Sequence, residues 1–207
     1  MNATGSPVRR PCMAKNELIC LALVYHQQSY AYAMSEFLQS LGLNQWAHIS
    51  KPSLYTALRR LEKEGCLNVN QVRVGEMPER KIYSITPLGI ERFRKECRDG
   101  LISVDSGEDL FALALTFNTV LEPSESILAL QERKRRLCSL HSELQEKLQK
   151  TQEHQVRHSE ILCQMGMDVK ELEIRATDEC IELYQNDPEF FTVRLKKLYT
   201  GMMAQYA

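Results

Sequence analysis

Residues 50–65, SKPSLYTALRRLEKEG, constrain the fold of this chain more than any other stretch. Ser50 is a suitable N-cap, and Pro52 falls in the first helical turn, where a missing N–H donor costs little. Gly65 supplies the end of the helix. At 100° per residue, one face of this helix is apolar and the opposite face is basic. The apolar face consists of Leu54, Ala57, Leu58 and Leu61, and the basic face of Thr56, Arg59, Arg60 and Lys63.

The basic face has two interpretations. Arg and Lys on a surface helix are commonly solvated, and Glu62 and Glu64 balance two of these charges. Alternatively, the helix enters the major groove of DNA, where Arg contacts base edges or phosphates and hydroxyl groups fix the register. The neighbouring sequence distinguishes the two interpretations.

Two further helices are predicted before Ser50. Residues 18–25 are almost entirely apolar, which is typical of a buried helix. Residues 31–41 have helical apolar spacing, and Gly42 ends them. In the linker that follows, Trp46 is expected to anchor the loop by its apolar ring. Three helices in this order indicate a helix-turn-helix core.

A β-hairpin is predicted directly after the third helix, over residues 66–85. Its two arms are rich in branched residues, and GEMPE, with Gly75 and Pro78, supplies the turn. On its own, a basic hairpin is explained by charges that protect an exposed strand edge. After a basic third helix it indicates a winged helix, whose wing contacts the DNA backbone or minor groove. Thr86 and Pro87 then begin another helix.

The third helix and the hairpin together resemble the PadR-type winged-helix transcriptional regulators. That family has the pattern Tyr-x-Ala-Leu-x-x-Leu-Glu-x-x-Gly, then a basic wing and Tyr-x-Leu-Thr-x-x-Gly. The resemblance spans about 75 residues, and each fragment alone has little specificity. The chain has Ala31-Tyr32 where the family tends to have Gly-Tyr, and Glu76 and Glu79 make the wing less basic. The matching positions are Tyr55, Ala57, Leu58, Leu61, Glu62, Gly65, Arg80, Lys81, Tyr83, Thr86 and Gly89.

The resemblance implies that the third helix lies in the major groove and that the wing contacts the DNA beside it. We expect Ser53, Thr56, Arg59 and Arg60 to contact the groove, and Lys51 and Lys63 to contact phosphate. The complete predicted DNA-binding set is Lys51, Ser53, Tyr55, Thr56, Arg59, Arg60 and Lys63 in the helix, with Arg73, Arg80 and Lys81 in the wing.

The second half of the chain is acidic and helical. Residues 1–100 hold 14 Lys and Arg against 9 Asp and Glu, whereas residues 101–207 hold 12 against 18. An apolar helix is predicted over 109–121, a long striped helix after Glu122-Pro123, and a last pair near 168–186 and 188–204. The stripe spans about three heptads, which suits a coiled-coil-like seam.

This half also resembles the C-terminal dimerisation domain of the virulence-activator subgroup of the same family. An intrachain helical bundle is the alternative. The predicted dimerisation residues are Phe111, Leu115, Ile127, Leu130, Leu137, Leu140, Leu144, Leu148, Ile181, Tyr184, Phe191, Leu195 and Leu198.

Other chemistry finds little support in the sequence. The seven cysteines are scattered and form no C-x-x-C pair, which predicts a reducing, cytoplasmic setting. Four of them lie among apolar residues and are expected to act as small hydrophobic side chains: Cys20, Cys66, Cys138 and Cys180. His154 and His158 share a helical face but lack further ligands at metal-site spacing, so we expect no metal. We also expect no cofactor, no catalytic site and no membrane span.

The sequence therefore predicts a mainly α fold with a small β-hairpin wing. Residues 1–14 are expected to be a disordered leader, 15–100 a winged helix-turn-helix domain, and 101–207 an antiparallel helical, coiled-coil-like dimerisation domain. The expected function is sequence-specific regulation of transcription as a homodimer on a palindromic operator, with a repressor favoured by the family resemblance. Release by a small-molecule effector is left open. The alternative is a winged-helix protein-interaction module that does not bind DNA.

Overall fold

The computed structural model describes residues 11–27, 29–43, 47–72, 80–104 and 110–206. Over these residues the chain is mainly helical with one small antiparallel sheet, as predicted. The helices are α1 (Pro11–His26), α2 (Ala31–Ser40), α3 (Lys51–Lys63), α4 (Pro87–Ile102), α5 (Leu110–Phe117), α6 (Pro123–Glu153), α7 (Arg157–Asn186) and α8 (Leu195–Met203), and the strands are β1 (Ser29–Tyr30), β2 (Leu67–Val72) and β3 (Arg80–Ile85). A π-helical turn, Phe190–Arg194, leads into α8, and a 3₁₀ turn, Ala204–Tyr206, follows it.

Helix α3 forms as its sequence predicts. The Ser50 hydroxyl accepts a hydrogen bond from the Ser53 amide at 3.3 Å, and the Ser53 hydroxyl accepts one from the Ser50 amide at 3.1 Å. These reciprocal bonds satisfy backbone donors that the first helical turn leaves unpaired. Gly65 adopts a φ of 74° just beyond the helix, in the left-handed region that favours glycine. The predicted apolar face is buried at Leu54, Ala57, Leu58 and Leu61.

The wing is confirmed as an antiparallel β2–β3 pair, in register from Leu67 opposite Ile85 to Val72 opposite Arg80. The sequence did not predict β1, which pairs with β3 and places Ser29 opposite Tyr83. The sheet order is therefore β1-β3-β2, and the N-terminus of α2 lies beside the wing. The predicted turn at 75–79 and the wing residue Arg73 lie outside the described residues.

Helix α1 forms the centre of the winged-helix core. Its residues 18–24 are each at most 2% exposed, since α1 packs against α3, α4, α5 and the sheet. It begins at Pro11, ahead of the predicted start at residue 15. Residues 1–10 of the predicted leader, like Trp46, lie outside the described residues.

Helix α4 is tied closely to the end of α3. Thr86 caps it by accepting a hydrogen bond from the Gly89 amide at 3.1 Å, and the same hydroxyl donates to the Gly65 carbonyl at 2.8 Å. A Cβ atom on Gly89 would lie 2.2 Å from the Cys66 carbonyl oxygen. Glycine at this position therefore allows the backbone of α4 to approach the turn that follows α3.

Helices α6 and α7 form a long antiparallel hairpin within the chain. Ion pairs join Arg133 to Glu173 at 3.1 Å and Lys134 to Asp178 at 2.7 Å. The turn contains Gln155 at a φ of 58°. Helix α7 begins at Arg157, so the prediction of a helical start near residue 168 is wrong: residues 157–167 are the first three turns of the same helix. Similarly, α5 ends at Phe117 and not at residue 121.

The structure places most of the predicted dimerisation residues in packing within the chain. The α6 stripe faces α7; for example, a Cβ atom on Gly166 would lie 3.1 Å from the Leu144 side chain. Phe111 stacks under the Arg133 guanidinium, which lies 3.8 Å from the ring centroid. Leu198 is exposed. Buried are Leu130, Leu137, Ile181, Tyr184, Phe191 and Leu195, and partly buried are Phe111, Leu115, Ile127, Leu140, Leu144 and Leu148.

Helix α8 returns from the hairpin to the winged helix. The Tyr199 ring contacts Phe37 of α2, His26 of α1 and Phe117 of α5, with ring centroids 5.4 to 6.0 Å apart. Its hydroxyl donates a hydrogen bond to the Thr116 carbonyl at 2.6 Å. One apolar core therefore extends from α1 to α8, and the division into two domains at residue 100, which falls inside α4, stays a prediction.

Among the residues that the structure describes, no helix combines the length and apolar composition that a bilayer span requires.

Candidate nucleic-acid interface

An open groove of about 570 Å³ lies where α2, α3 and β3 meet. Four tyrosines and three cationic side chains line it, so the groove offers both aromatic surface and positive charge. Such a combination suits polyanions whose sugars and bases present flat or apolar surface. The lining residues are Tyr30, Ala31, Tyr32, Ala33, Tyr55, Arg59, Arg80, Lys81 and Tyr83.

Arg59 is the cation of α3 that projects most directly beside this groove. It is exposed, and within the described part of the chain it forms no ion pair. Tyr55, one turn earlier, is 40% exposed. Thr56 is exposed as well, but its hydroxyl donates to the Pro52 carbonyl at 2.9 Å, which leaves its acceptor lone pairs and methyl group available. Lys63 is exposed in the last turn of the helix.

Ser53 and Lys51 lie at the start of α3 and already have partners. The Ser53 hydroxyl belongs to the helix cap and donates to the Ser50 carbonyl at 2.8 Å. The Lys51 ammonium lies 3.1 Å from Glu36 and 5.6 Å from the centroid of the Tyr32 ring. Because these contacts are largely exposed, they hold little free energy, and a phosphate can replace the carboxylate.

The Arg60 side chain points away from the face that carries Arg59, which corrects its predicted position on the basic face of α3. Its Nε lies 2.8 Å from Glu64 and 3.3 Å from Glu17 of α1, which is 1% exposed. The step of 100° from Arg59 turns Arg60 towards α1. The hydrogen bond with Glu64 raises the pKa of Arg60, which stays charged in this position.

The Arg60 pairs belong to a larger ion cluster that joins α1, α3 and α4. Arg92 of α4 lies 2.8 Å from Glu17 and 2.6 Å from Glu96. Arg92 also lies 3.9 Å from Glu64, at the C-terminal end of α3. A buried carboxylate with two guanidinium partners fixes the relative position of the helices, because removing either partner leaves charge incompletely compensated. The cluster therefore sets the orientation of α3.

The described part of the wing carries two of the three predicted cations. Arg80 and Lys81 lie at the start of β3 and are exposed. The Lys81 ammonium lies 3.7 Å from Glu62, which joins the wing to α3. Tyr83 is only 3% exposed beneath them. Burial raises its pKa, and Glu62 adds to the rise, so this phenol is a neutral donor near pH 7.

Residues 20–95 match the Transcriptional regulator PadR-like family. The chain belongs to the PadR-like family. The matched segment contains β1 to β3, α2 and α3, together with the C-terminal part of α1 and the N-terminal part of α4. This family consists of transcriptional regulators and not of enzymes, so the prediction that the chain is not an enzyme is confirmed.

Solved structures similar to this PadR-like chain come from several bacteria. A transcriptional regulator from Clostridium thermocellum has 30% identity, with 40% of this chain and 79% of that chain covered and a TM-score of 0.36. The protein smu.1604c from Streptococcus mutans has 21% identity, with 79% and 96% covered and a TM-score of 0.38. PadR from Bacillus subtilis, in complex with operator DNA, has 16% identity, with 81% and 97% covered and a TM-score of 0.37. No curated protein matched the sequence.

The PadR-like segment contains groove residues that the sequence prediction missed. Tyr30 and Tyr83 reach the groove because β1 pairs with β3, and a two-residue strand gives no periodic signal in the sequence. Tyr32 is 63% exposed at the N-terminus of α2. The sequence did offer a signal for this residue, since Ala31-Tyr32 occupies the place of the family's Gly-Tyr pair.

The remaining chemical predictions concern cysteines and metals. Cys20 and Cys97 are buried, and burial raises the pKa of both thiols, which favours the unreactive protonated form. Cys138 is exposed on α6, so its predicted apolar environment is wrong; the residue lies outside the stripe that faces α7. Within the described ranges, no group of three or more His, Cys, Asp or Glu side chains is arranged to hold a metal ion.

Proposed function

We propose that this PadR-like protein is a sequence-specific DNA-binding repressor of transcription that acts as a homodimer. The observation that carries the proposal is the position of Arg59. Its exposed guanidinium, without an ion-pair partner among the described residues, lies next to an aromatic groove that also holds Arg80 and Lys81. A guanidinium in that state is free to contact a base edge or a phosphate.

In the proposed complex, α3 lies in the major groove. Arg59 and Thr56 face the bases, and Lys63 faces the phosphates at the C-terminal end of the helix. Tyr55 lies at the edge of the groove and packs on the sugar-phosphate backbone. Ser53 acts mainly through the helix cap, and Arg60 acts by holding α3 in place. Base contacts set the sequence preference, and phosphate contacts set the orientation.

The groove beside α3 receives the adjacent DNA backbone. Lys51 and Tyr32 contribute from one side and Arg80 and Lys81 from the other. Arg73, a predicted wing cation outside the described residues, belongs to the same proposal. One winged helix contacts few phosphates, so two of them in a dimer are needed for tight binding to a palindromic operator.

Release by a small-molecule effector also belongs to the proposal. Tyr199 joins α8 to α1 and α2, and α2 forms one wall of the groove. A ligand that displaces α8 would therefore disturb the DNA-binding face. Ligand-dependent release of labelled operator is the expected behaviour, and release that no candidate ligand produces would reject this part of the proposal.

The test begins with the DNA that the protein selects. Genomic fragments recovered with the protein are sequenced, and we expect an inverted repeat with half-sites about one helical turn apart. Titration of that duplex with the Lys63→Ala variant should show weaker binding, whereas Lys147→Ala, an exposed lysine on the α6–α7 hairpin, should bind as the parent does. No enrichment, and no binding even at low salt, would overturn the proposal in favour of a protein-interaction module.

A further inference from the structure

The groove between α2, α3 and β3 has a buried floor below its cationic rim. Ala31, Ala33 and Tyr83 line this floor and are each at most 6% exposed, whereas Arg80 and Lys81 at the rim are exposed. The phosphates of a DNA duplex lie on its convex outer surface, so they can reach the rim but not the floor. The floor is therefore available to a smaller ligand.

Helix α2 begins at this floor, and its first turn has no side-chain cap. Tyr30 is the N-cap residue, and its side chain makes no capping hydrogen bond. The first amides of a helix lack partners within the helix and carry the positive end of its dipole. Because residues 30–33 all line the groove, these backbone donors border it. An arrangement of this kind suits a phosphate group.

The Tyr83 hydroxyl is a second, independent donor at the floor. The side chain is only 3% exposed, and within the described part of the chain its hydroxyl forms no hydrogen bond. Burial raises the pKa of Tyr83, so the hydroxyl keeps its proton near pH 7. Buried hydroxyl groups normally have a partner. One that lines a groove without a partner indicates an acceptor supplied by a ligand, such as a phosphate oxygen.

The charge around the floor is positive. Arg59, Arg80 and Lys81 line the groove, and no acidic side chain is among its described lining residues. Lys81 lies 3.7 Å from Glu62 outside the lining, in a largely exposed pair that a phosphate can replace. Three cations match the charge of a nucleoside diphosphate, which is about -3 near pH 7.

The walls of the groove offer aromatic surface for a base. Tyr32 is 63% exposed and Tyr55 is 40% exposed, and exposed rings of this kind act as stacking platforms. Lys51 lies 5.6 Å from the centroid of the Tyr32 ring but does not line the groove. The volume of about 570 Å³ falls within the range of small-molecule sites.

We propose that this groove binds a free purine nucleoside diphosphate and that the bound nucleotide excludes DNA. The α2 amides and the Tyr83 hydroxyl hold the diphosphate, the rim cations neutralise it, and the purine, the larger of the two base types, stacks on Tyr32. Nucleotide binding stands apart from the proposed function. The exclusion of DNA rests on that function, because Tyr55 and Arg59 belong to both sites.

The first test is isothermal titration calorimetry of the full chain with ADP, without DNA. Tyr83→Phe removes only the hydroxyl and should weaken ADP binding about tenfold, since a hydrogen bond to a charged group is lost. Lys147→Ala, on the α6–α7 hairpin, should bind ADP as the parent does. No heat of ADP binding, or equal affinities of Tyr83→Phe and the parent, would overturn the inference.

A second set of titrations separates a nucleotide site from a general anion site. Tyr32→Ala should weaken ADP binding about tenfold, and Tyr32→Phe, which keeps the ring, should stay within about threefold of the parent. Pyrophosphate and adenosine, each with one half of the ligand, should bind at least tenfold more weakly than ADP. Pyrophosphate that binds as tightly as ADP would overturn the assignment of a nucleotide.

Competition with a labelled duplex tests the exclusion of DNA. Fluorescence anisotropy is measured at low, constant ionic strength while ADP is added, with pyrophosphate as the matched anion. ADP should release the duplex at concentrations at least tenfold below those of pyrophosphate, and Tyr83→Phe should require about tenfold more ADP than the parent. A duplex that stays bound to the ADP-saturated protein would overturn the exclusion.

The outcomes for the nucleotide site and for DNA binding can be told apart. ADP binding by a protein that binds no DNA at low salt would reject the proposed function and retain the nucleotide site. Operator binding by a protein that does not bind ADP would reject the nucleotide site and retain the proposed function.

Discussion

Two adjacent arginines of α3 should respond to substitution in opposite ways. Arg59 is exposed beside the groove, so Arg59→Ala should leave the free energy of unfolding within about 0.5 kcal/mol of the parent. If Arg59 reads a base, the same change should weaken operator binding by about 1 to 3 kcal/mol, or roughly 5- to 150-fold. The loss should be smaller on non-specific DNA, where no base contact exists.

Arg60→Ala should instead act on stability. It removes one of the two guanidinium groups that contact Glu17, whose side chain is 1% exposed, and leaves Arg92 as the other. A buried carboxylate that loses one charged partner costs about 1 to 3 kcal/mol. For a chain of this length the melting temperature should fall by about 3 to 10 °C. DNA binding measured well below that temperature should change less than in Arg59→Ala.

The assays are thermal unfolding by circular dichroism and fluorescence anisotropy with labelled operator at fixed salt. Arg60→Lys serves as the conservative partner, because it keeps the charge but loses the guanidinium geometry. The opposite outcome, in which Arg60→Ala melts as the parent does and loses sequence discrimination while Arg59→Ala loses stability, would exclude these roles for the two arginines.

Three further changes test the packing that supports the face proposed to bind DNA. Tyr199→Phe removes the hydrogen bond to the Thr116 carbonyl and should lower the free energy of unfolding, measured by urea denaturation, by about 1 to 2 kcal/mol. An unchanged free energy of unfolding would show that this hydrogen bond does not stabilise the fold. Burial, with a smaller effect of Lys196, lowers the pKa of His26 to about 4. The folded state therefore binds fewer protons than the unfolded state, and stability should be highest above pH 6.5 and fall by up to about 3 kcal/mol towards pH 4, a dependence that His26→Gln should reduce. Gly89→Ala forces a Cβ against the Cys66 carbonyl and should cost about 3 kcal/mol; a melting temperature equal to that of the parent would contradict the close approach of α4.

The elements that the sequence predicts well are those with local signals. Ser50, Pro52 and Gly65 define both ends of α3 within one stretch, and the apolar face between them needs no distant partner to be recognised. The wing follows from two branched segments around a turn. Strand β1 has no such signal, because two residues become a strand only by pairing with β3 far along the chain.

The site residues that the sequence placed incorrectly depend on distant contacts. The partner that turns Arg60 inward is Glu17, in a different helix, and helical spacing alone leaves Arg60 at the edge of the basic face. The stripe on α6 correctly indicated a helical partner. Periodicity could not say whether that partner was α7 of the same chain or a second copy, because both bury the same leucines.

Duplex DNA that binds to α3 and the wing should do so with a strong dependence on salt concentration, because phosphate contacts release counterions. The logarithm of the association constant for the recovered operator should fall linearly with the logarithm of salt concentration. Lys81→Ala should weaken binding to all sequences alike and reduce the slope by about 1 per copy of the chain, whereas Lys147→Ala should leave the slope unchanged. Equal slopes for the parent and both variants, or no binding at the lowest salt, would show that α3 and the wing do not form a DNA-binding surface.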